Sequence, residues 1–139
     1  MRRFIVSAVA VIALAAATAS CASWGGGRPE ALAGSWEGMG VQVPSDGEAA
    51  WPLRMVLTRG GDGSIDYPTL SCGGSLTRLR SIGNTVVYRE VITHGAETCI
   101  EGGTITIVNG KGKLFWYWTG EGTTDPEVSA AAVLKRVGA

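Results

Sequence analysis

The chain has 139 residues, enough for one domain, and its twelve basic and twelve acidic side chains give a formal net charge of zero. Arg2 and Arg3 belong to the leader described next, which leaves ten basic residues against the twelve acidic ones. No stripe or cluster of lysine and arginine occurs after this leader. The composition therefore excludes a nucleic-acid-binding protein and a protein held electrostatically on an anionic membrane.

The first residues predict a bacterial export signal. Residues 1–3 are a short basic segment, and residues 4–17 are an apolar run that is too short to span a bilayer comfortably. The next four residues, 18–21, read Thr-Ala-Ser-Cys and resemble the lipobox of bacterial lipoproteins. That resemblance implies acylation of Cys21 and attachment to the cell membrane through this lipid. The alternative is cleavage after Ala19, which would give a soluble secreted protein.

The cysteine count supports an extracytoplasmic domain with one disulfide. Three cysteines would leave an unpaired thiol in an oxidising compartment. If Cys21 carries lipid, Cys72 and Cys99 are the pair that remains, and exported proteins keep such pairs oxidised. Closing the loop between them is worth about 3 to 4 kcal/mol of stability in the chain-entropy description.

The residues after the signal predict a tether followed by a single folded domain. Residues 22–33 have no apolar period and contain three consecutive glycines, which is typical of a flexible linker. We therefore predict a signal peptide over residues 1–20, a lipid-anchored flexible tether over 21–33 and a β-barrel domain over 34–139.

Eight β-strands and no helix are predicted in this domain, because alternating or β-branched apolar runs are separated by glycine, proline and asparagine. Pro68 ends the third strand, a bulge or an early end of the strand is expected between Leu76 and Leu79, and Asn109-Gly110 is a hairpin turn signal. The strands are residues 34–43, 53–58, 64–67, 74–80, 85–93, 104–108, 114–118 and 128–137.

An all-β fold of this kind has two possible architectures. Consecutive strands joined by short turns form a meander, and eight of them can close into a small antiparallel up-and-down barrel without exposed edges. Alanines at alternate positions of the last strand, Ala130 and Ala132, suit the crowded interior of a closed sheet. A two-sheet β-sandwich is the alternative.

Two motifs at the ends of the domain resemble the calycin pattern of lipocalins and avidins. Gly34-Ser35-Trp36 opens the first strand, and Lys135-Arg136 lies near the end of the last. The resemblance implies a calycin-like barrel in which Trp36 plugs one end and packs near Arg136.

A second resemblance covers most of the folded domain. It is carried by Gly-x-Trp-x-Gly at residues 34–38, by the cysteine motif at 66–76, by Tyr-Arg-Glu-x-Ile-Thr-x-Gly at 88–95 and by Cys-x-x-Gly-Gly at 99–103. This order is similar to an uncharacterised extracytoplasmic domain of actinobacterial lipoproteins and receptor-like Ser/Thr kinases. The resemblance implies an exported, disulfide-bearing and non-catalytic module.

The sequence offers no set of residues for catalysis or metal binding. His94 is the one histidine, and there is no Gly-x-Ser-x-Gly motif, so a catalytic triad is not expected. There is also no histidine pair at helical spacing and no Cys-x-x-Cys motif. We therefore expect no enzyme activity, no catalytic residue, no cofactor and no metal.

Glu90 is the first candidate for a binding residue. It lies within the strand predicted over residues 85–93, on the same face as Tyr88. A buried glutamate is costly unless it is paired, so we expect an arginine partner, namely Arg54, Arg78 or Arg136, or a hydrogen-bonded network within the barrel. The alternative role for Glu90 is direct contact with a ligand.

The aromatic strand over residues 114–118 supplies the other candidates. Trp116 and Trp118 share one face with Leu114, while Phe115 and Tyr117 lie on the other. One face must pack in the core. The opposite face is either covered by a loop such as Trp51-Pro52 or exposed as a surface for a partner protein or a saccharide.

These observations predict a non-catalytic extracytoplasmic lipoprotein module that interacts with a protein or a glycan at the cell envelope. The alternative function is a lipocalin-like barrel that binds a small molecule in its interior.

Overall fold

The last strand of the chain pairs with the first, and this pairing closes the sheet into a barrel. The computed structural model describes residues 29–43, 50–120 and 129–138. Within them, antiparallel strands follow one another around the barrel in sequence order: β1 Gly34–Val43, β2 Trp51–Leu57, β3 Gly63–Tyr67, β4 Cys72–Ile82, β5 Thr85–His94, β6 Gly103–Gly110, β7 Lys113–Gly120 and β8 Ser129–Val137. The predicted up-and-down barrel is confirmed, and the sandwich alternative is wrong.

The strands enclose one apolar core because alternate side chains point inward. In β7, Leu114, Trp116 and Trp118 are buried, whereas Phe115 and Tyr117 are exposed on the outer surface. The two predicted faces of this strand are therefore confirmed, and the tryptophan face is the inner one.

A short helix, α1, precedes the barrel and spans Pro29–Leu32. Leu32 is only 1% exposed and belongs to the core, and its carbonyl accepts a hydrogen bond of 2.9 Å from Trp36 Nε1. The end of the segment predicted as a tether is thus part of the fold, because Leu32 is an apolar side chain that gains by burial. The predicted signal peptide and Cys21 lie outside the described residues.

Arg136 of β8 fastens α1 to the barrel. Its guanidinium donates hydrogen bonds to the carbonyls of Ala31 (3.0 Å) and Ala33 (2.6 Å). Carbonyls at the end of a helix have no N–H partner within the helix, so these bonds satisfy them. The same guanidinium lies over the Trp36 ring, with its carbon 4.4 Å from the ring centroid. The structure therefore brings together the two residues that the calycin resemblance named.

Two irregularities of the sheet concern predicted turns and bulges. The β4–β5 register shifts between Arg78 and Arg80, so the bulge predicted near Leu79 is confirmed. The turn predicted at Asn109-Gly110 is wrong, because both residues belong to β6 and the chain reverses at Lys111 and Gly112, which have φ of 36° and 83°.

Asn84 explains why the β6–β7 turn is displaced. The backbone N–H of Asn109 donates to the carbonyl of Asn84 at 2.8 Å, and the Asn84 side-chain amide donates to the carbonyl of Asn109 at 3.1 Å. This pair of bonds holds Asn109 in the sheet beside the β4–β5 turn.

The two ends of the barrel differ. The β2–β3, β4–β5 and β6–β7 turns lie at the same end as α1, and we call this the closed end. The β3–β4 and β5–β6 connections lie at the opposite end, where β1 and β7 end and where β2 and β8 begin. We call this second end the mouth.

Candidate functional site

A pocket of about 220 Å³ opens at the mouth of the barrel. Its walls combine inward side chains of the strands with residues of the β3–β4 and β5–β6 connections. They are Gln42, Trp51, Tyr67, Leu70, Glu90, Ile92, Thr98, Cys99, Ile100, Trp116, Trp118 and Ala130. An apolar concavity with a few polar groups is the usual form of a small-molecule site, and this one lies below the range of about 300 to 1,000 Å³ that is typical of larger ligands.

Small residues create the room for the large aromatic rings of the pocket. A Cβ on Gly40 would lie 2.8 Å from the ring of Trp51, and a Cβ on Gly103 would meet the indole nitrogen of Trp118. Across the β7–β8 pairing, Trp118 faces Ala130. These positions explain why tryptophan can occupy an interior this narrow.

Glu90 lies at the base of the pocket and is only 1% exposed. Tyr67 Oη donates a 2.6 Å hydrogen bond to its Oε1, and Trp118 Nε1 donates a 2.6 Å hydrogen bond to its Oε2. Burial raises the pKa of Glu90 above its ordinary value, while these two hydrogen bonds oppose that rise. Burial and the nearby Glu90 also raise the pKa of Tyr67, so its hydroxyl remains a donor at physiological pH.

The arginine partner predicted for Glu90 is wrong. Arg54 lies outside the barrel, where its Nε is 3.0 Å from Glu37 Oε1. The Arg78 guanidinium lies beside Gly61 in the β2–β3 turn, and Arg136 lies over Trp36, both at the closed end. Inward positions beside Glu90 instead hold neutral donors, as in the hydrogen-bonded network that was the other possibility.

Trp116 carries an unsatisfied donor beside this network. Its side chain lines the pocket and is buried, yet Nε1–H has no hydrogen-bond acceptor among the described residues. A buried donor without a partner costs about 1 to 3 kcal/mol, and such groups are rare in folded proteins. An acceptor atom on a bound molecule would remove this cost.

The rim of the pocket is held by two cross-links. Cys72 and Cys99 form the predicted disulfide, with Cα atoms 6.2 Å apart, which joins the β5–β6 connection to the start of β4. Thr98 Oγ1 donates a 2.6 Å hydrogen bond to the carbonyl of Leu70 in the β3–β4 connection. The confirmed disulfide indicates an oxidising, extracytoplasmic environment.

The structure separates the predicted binding residues into three places. Glu90, Trp116 and Trp118 line the pocket. Tyr88 is buried in the barrel but does not line the pocket; burial and Asp62 raise its pKa to about 12 against the opposing effect of Arg78. Two further candidates, Phe115 and Tyr117, lie on the outer surface.

The outer surface around these two rings is apolar. Phe115 is 40% exposed and Tyr117 is 48% exposed, and exposed side chains of the neighbouring strands β1 and β8 extend the patch. These neighbours are Met39, Val41 and Val133. The loop cover predicted from Trp51-Pro52 is wrong, because Trp51 packs against the core and lines the pocket instead.

Sequence reasoning missed Tyr67 and Trp51. Tyr67 is two residues after the buried Ile65, so the alternation of β3 places both on the inner face. Trp51 precedes Leu53, Met55 and Leu57 on the inner face of β2, but the strand was predicted to start at residue 53. An earlier strand start would have placed Trp51 in the interior.

The described residues form neither a metal site nor a membrane-spanning helix. No three acidic, histidine or cysteine side chains in residues 29–43, 50–120 and 129–138 are grouped so that they could hold a metal ion. In the same ranges, no helix has the length and apolar character of a membrane span. Comparisons with protein-family models, with curated proteins and with solved structures found nothing that matches the chain.

Proposed function

We propose that the protein is a non-catalytic binding protein of the bacterial cell envelope, and that it takes a small ligand into the pocket at the barrel mouth. The observation that carries this proposal is the pocket itself, with a buried carboxyl and an unsatisfied indole N–H among apolar walls. Apolar pockets with a few convergent polar groups and a perturbed pKa are the usual binding sites of proteins.

The geometry around Glu90 favours binding over catalysis. Each of its oxygens accepts a hydrogen bond, from Tyr67 or from Trp118, which fixes the carboxyl in one orientation. His94 lies on the surface, with Nε2 3.5 Å from Asp66 Oδ1, so it is not available as a base for a group in the pocket.

Rigidity of the rim supports the same proposal. The disulfide and the bond from Thr98 to Leu70 fix the β5–β6 connection against the β3–β4 connection. A pocket whose walls are fixed before binding loses less conformational entropy when the ligand enters, which favours affinity.

A pair of adjacent alanines in β8 gives a direct test of pocket binding. Ala130→Leu fills the pocket, whereas Ala131→Leu adds the same side chain on the outer side of the strand. We would screen a library of small metabolites by thermal shift with the wild type and both variants. Ligands that bind to the wild type and to Ala131→Leu but not to Ala130→Leu support the proposal. A ligand set that is the same in all three proteins contradicts it.

The location at the cell membrane is part of the proposal and rests on the lipobox-like residues 18–21. Fractionation of cells that express the wild type or a Cys21→Ala variant tests it. We expect the wild type in the membrane fraction and the variant in the soluble exported fraction. Recovery of the wild type as a soluble exported protein would show simple secretion instead.

A second candidate function uses the apolar outer patch of β1, β7 and β8. Exposed aromatic groups of this kind mark surfaces for proteins or glycans. Crosslinking in envelope fractions would compare the wild type with a Phe115→Ser, Tyr117→Ser double variant. A protein or glycan enriched only by the wild type supports this function, and equal recovery by both proteins contradicts it.

A further inference from the structure

We propose that the ligand of the mouth pocket is a small organic cation whose ammonium group binds the Glu90 carboxylate in the pocket lined by Trp51, Tyr67, Trp116 and Trp118. The inference rests on the proposed function and specifies the charge of its ligand; an acceptor atom elsewhere on the same ligand would bind the Trp116 N–H. Three observations carry it: the charge state of the pocket lining, the aromatic groups around the carboxyl and the distribution of charge between the barrel ends.

The first observation is that the pocket contains an acid without a cationic side chain. Among the described residues that line it, Glu90 is the acidic side chain and none is a lysine or an arginine. Tyr67 and Trp118, which donate to Glu90, are neutral. A carboxylate has about four acceptor positions, so two remain after these bonds. An ammonium group would use them and would supply the positive charge that a buried carboxylate requires.

The second observation is the density of aromatic rings around the carboxyl. Trp51 comes from β2, Tyr67 from β3, and Trp116 and Trp118 from β7, and all four line the same pocket. The faces of such rings attract cations. Tyr67 and Trp118 direct their O–H and N–H donors at the Glu90 oxygens, so Trp51 and Trp116 are the rings left to contact an ammonium group. A carboxylate ligand would repel the ionised form of Glu90, and a neutral ligand would not stabilise that form, whereas a cation would.

The third observation is the charge of the two barrel ends. Glu97 and Glu101 are exposed in the β5–β6 connection at the mouth, and the β3–β4 connection has no basic residue. At the closed end, the turns and the strand ends carry Arg59, Lys111 and Arg136, together with the acidic Asp62. The electric field of this charge distribution attracts cations to the mouth.

The test uses three probes of nearly equal size and different charge: cyclohexylammonium, cyclohexanol and cyclohexanecarboxylate. Their dissociation constants for the purified full-length protein are measured by calorimetry or NMR titration at pH 7.5 and low salt. We expect the ammonium probe to bind at least tenfold more tightly than the alcohol and the carboxylate not to bind. This comparison uses the wild type, so it does not depend on the folding of any variant.

Two glutamine variants show which carboxyl is responsible for the preference for the ammonium probe. Glu90→Gln keeps the side-chain shape and removes the charge, so it should abolish the preference for the ammonium probe. Glu97→Gln removes an exposed charge of the same kind and should change the dissociation constant less than about threefold. A preference that persists in Glu90→Gln overturns the assignment of the ammonium group to this carboxyl.

The outcomes distinguish this inference from the function on which it rests. Binding of the alcohol as tight as that of the ammonium probe overturns the inference, and so does any preference for the carboxylate. If Ala130→Leu blocks that alcohol binding, the mouth pocket remains a ligand site. If none of the three probes binds, the cation inference is overturned, and the metabolite screen with the alanine pair still decides the proposed function.

Discussion

At the scale of single residues, Glu90 determines the chemistry of the barrel interior. Its position in β5 follows from strand alternation, and sequence reasoning identified it as a candidate. Its partners could not be identified in this way, because Tyr67 is 23 residues away and Trp118 is 28 residues away. Which side chains meet across a barrel depends on the register of every strand pair, and a sequence pattern does not specify that register.

The pH dependence of stability should report the burial of Glu90. Its pKa is raised above the ordinary value of 4.5, so the folded state holds this proton more tightly than the unfolded state. The contribution to stability is therefore complete below pH 4.5 and is lost as pH rises through the folded pKa. In urea unfolding of ligand-free protein, Glu90→Gln should gain stability relative to the wild type as pH rises from 4.5 to 8. Parallel pH profiles would contradict this.

Gly103 is the residue that allows Trp118 to reach Glu90. A Cβ at position 103 would occupy the place of the indole nitrogen, so Gly103→Ala should displace the ring and break its bond to Glu90. We expect a loss of about 1 to 3 kcal/mol in the free energy of unfolding and a shift of the Trp118 indole N–H resonance. Gly60→Ala is the control, since its Cβ would have ordinary contacts only. An unchanged resonance in Gly103→Ala would refute the contact.

At the scale of elements, the strands were predictable and the ends of elements were not. Alternation and β-branched runs located the eight strands because these patterns reflect burial of one face of a sheet. The displaced β6–β7 turn depends on bonds between Asn109 and Asn84, which are 25 residues apart. The packing of Leu32 under Trp36 depends on barrel closure, so residues 29–33 looked like a linker from sequence alone.

The β5–β6 connection should lose its position when its covalent link is removed. A Cys72→Ala, Cys99→Ala double variant should lose about 3 kcal/mol of stability in denaturant unfolding, because the unfolded chain is no longer cross-linked. It should also bind cyclohexylammonium more weakly, since the rim is no longer fixed. Thr98→Val removes the hydroxyl that donates to the carbonyls of Leu70 and Gly95 and should cost about 1 kcal/mol. Equal affinities in the double variant and the wild type would show that the rim need not be fixed.

At the scale of the whole molecule, the barrel separates a structural end from a binding end. Leu32, Trp36 and Arg136 fill and brace the closed end. The pocket, its disulfide and the β5–β6 connection with Glu97 and Glu101 belong to the mouth. The overall net charge of zero in the sequence hides this asymmetry, which became evident only when the topology assigned each connection to an end.

The association rate of a cationic probe should depend on this asymmetry. Charges at the mouth act over a Debye length of about 30 Å at 10 mM salt and about 8 Å at 150 mM salt. Stopped-flow measurements should therefore show a several-fold slower association of cyclohexylammonium at the higher salt concentration. A Glu97→Gln, Glu101→Gln double variant should reduce this dependence, and cyclohexanol should show none. If the association rate of cyclohexylammonium with the wild type did not depend on salt, electrostatic attraction by the mouth would be contradicted.

The first strand begins and the last strand ends at the closed end of the barrel. Ser35 at the start of β1 pairs with Val137 at the end of β8, and α1 packs beside them. Residues 29 and 138 therefore both lie at the end of the barrel that is remote from the pocket and its aperture. Immobilisation through either terminus should leave that aperture unobstructed.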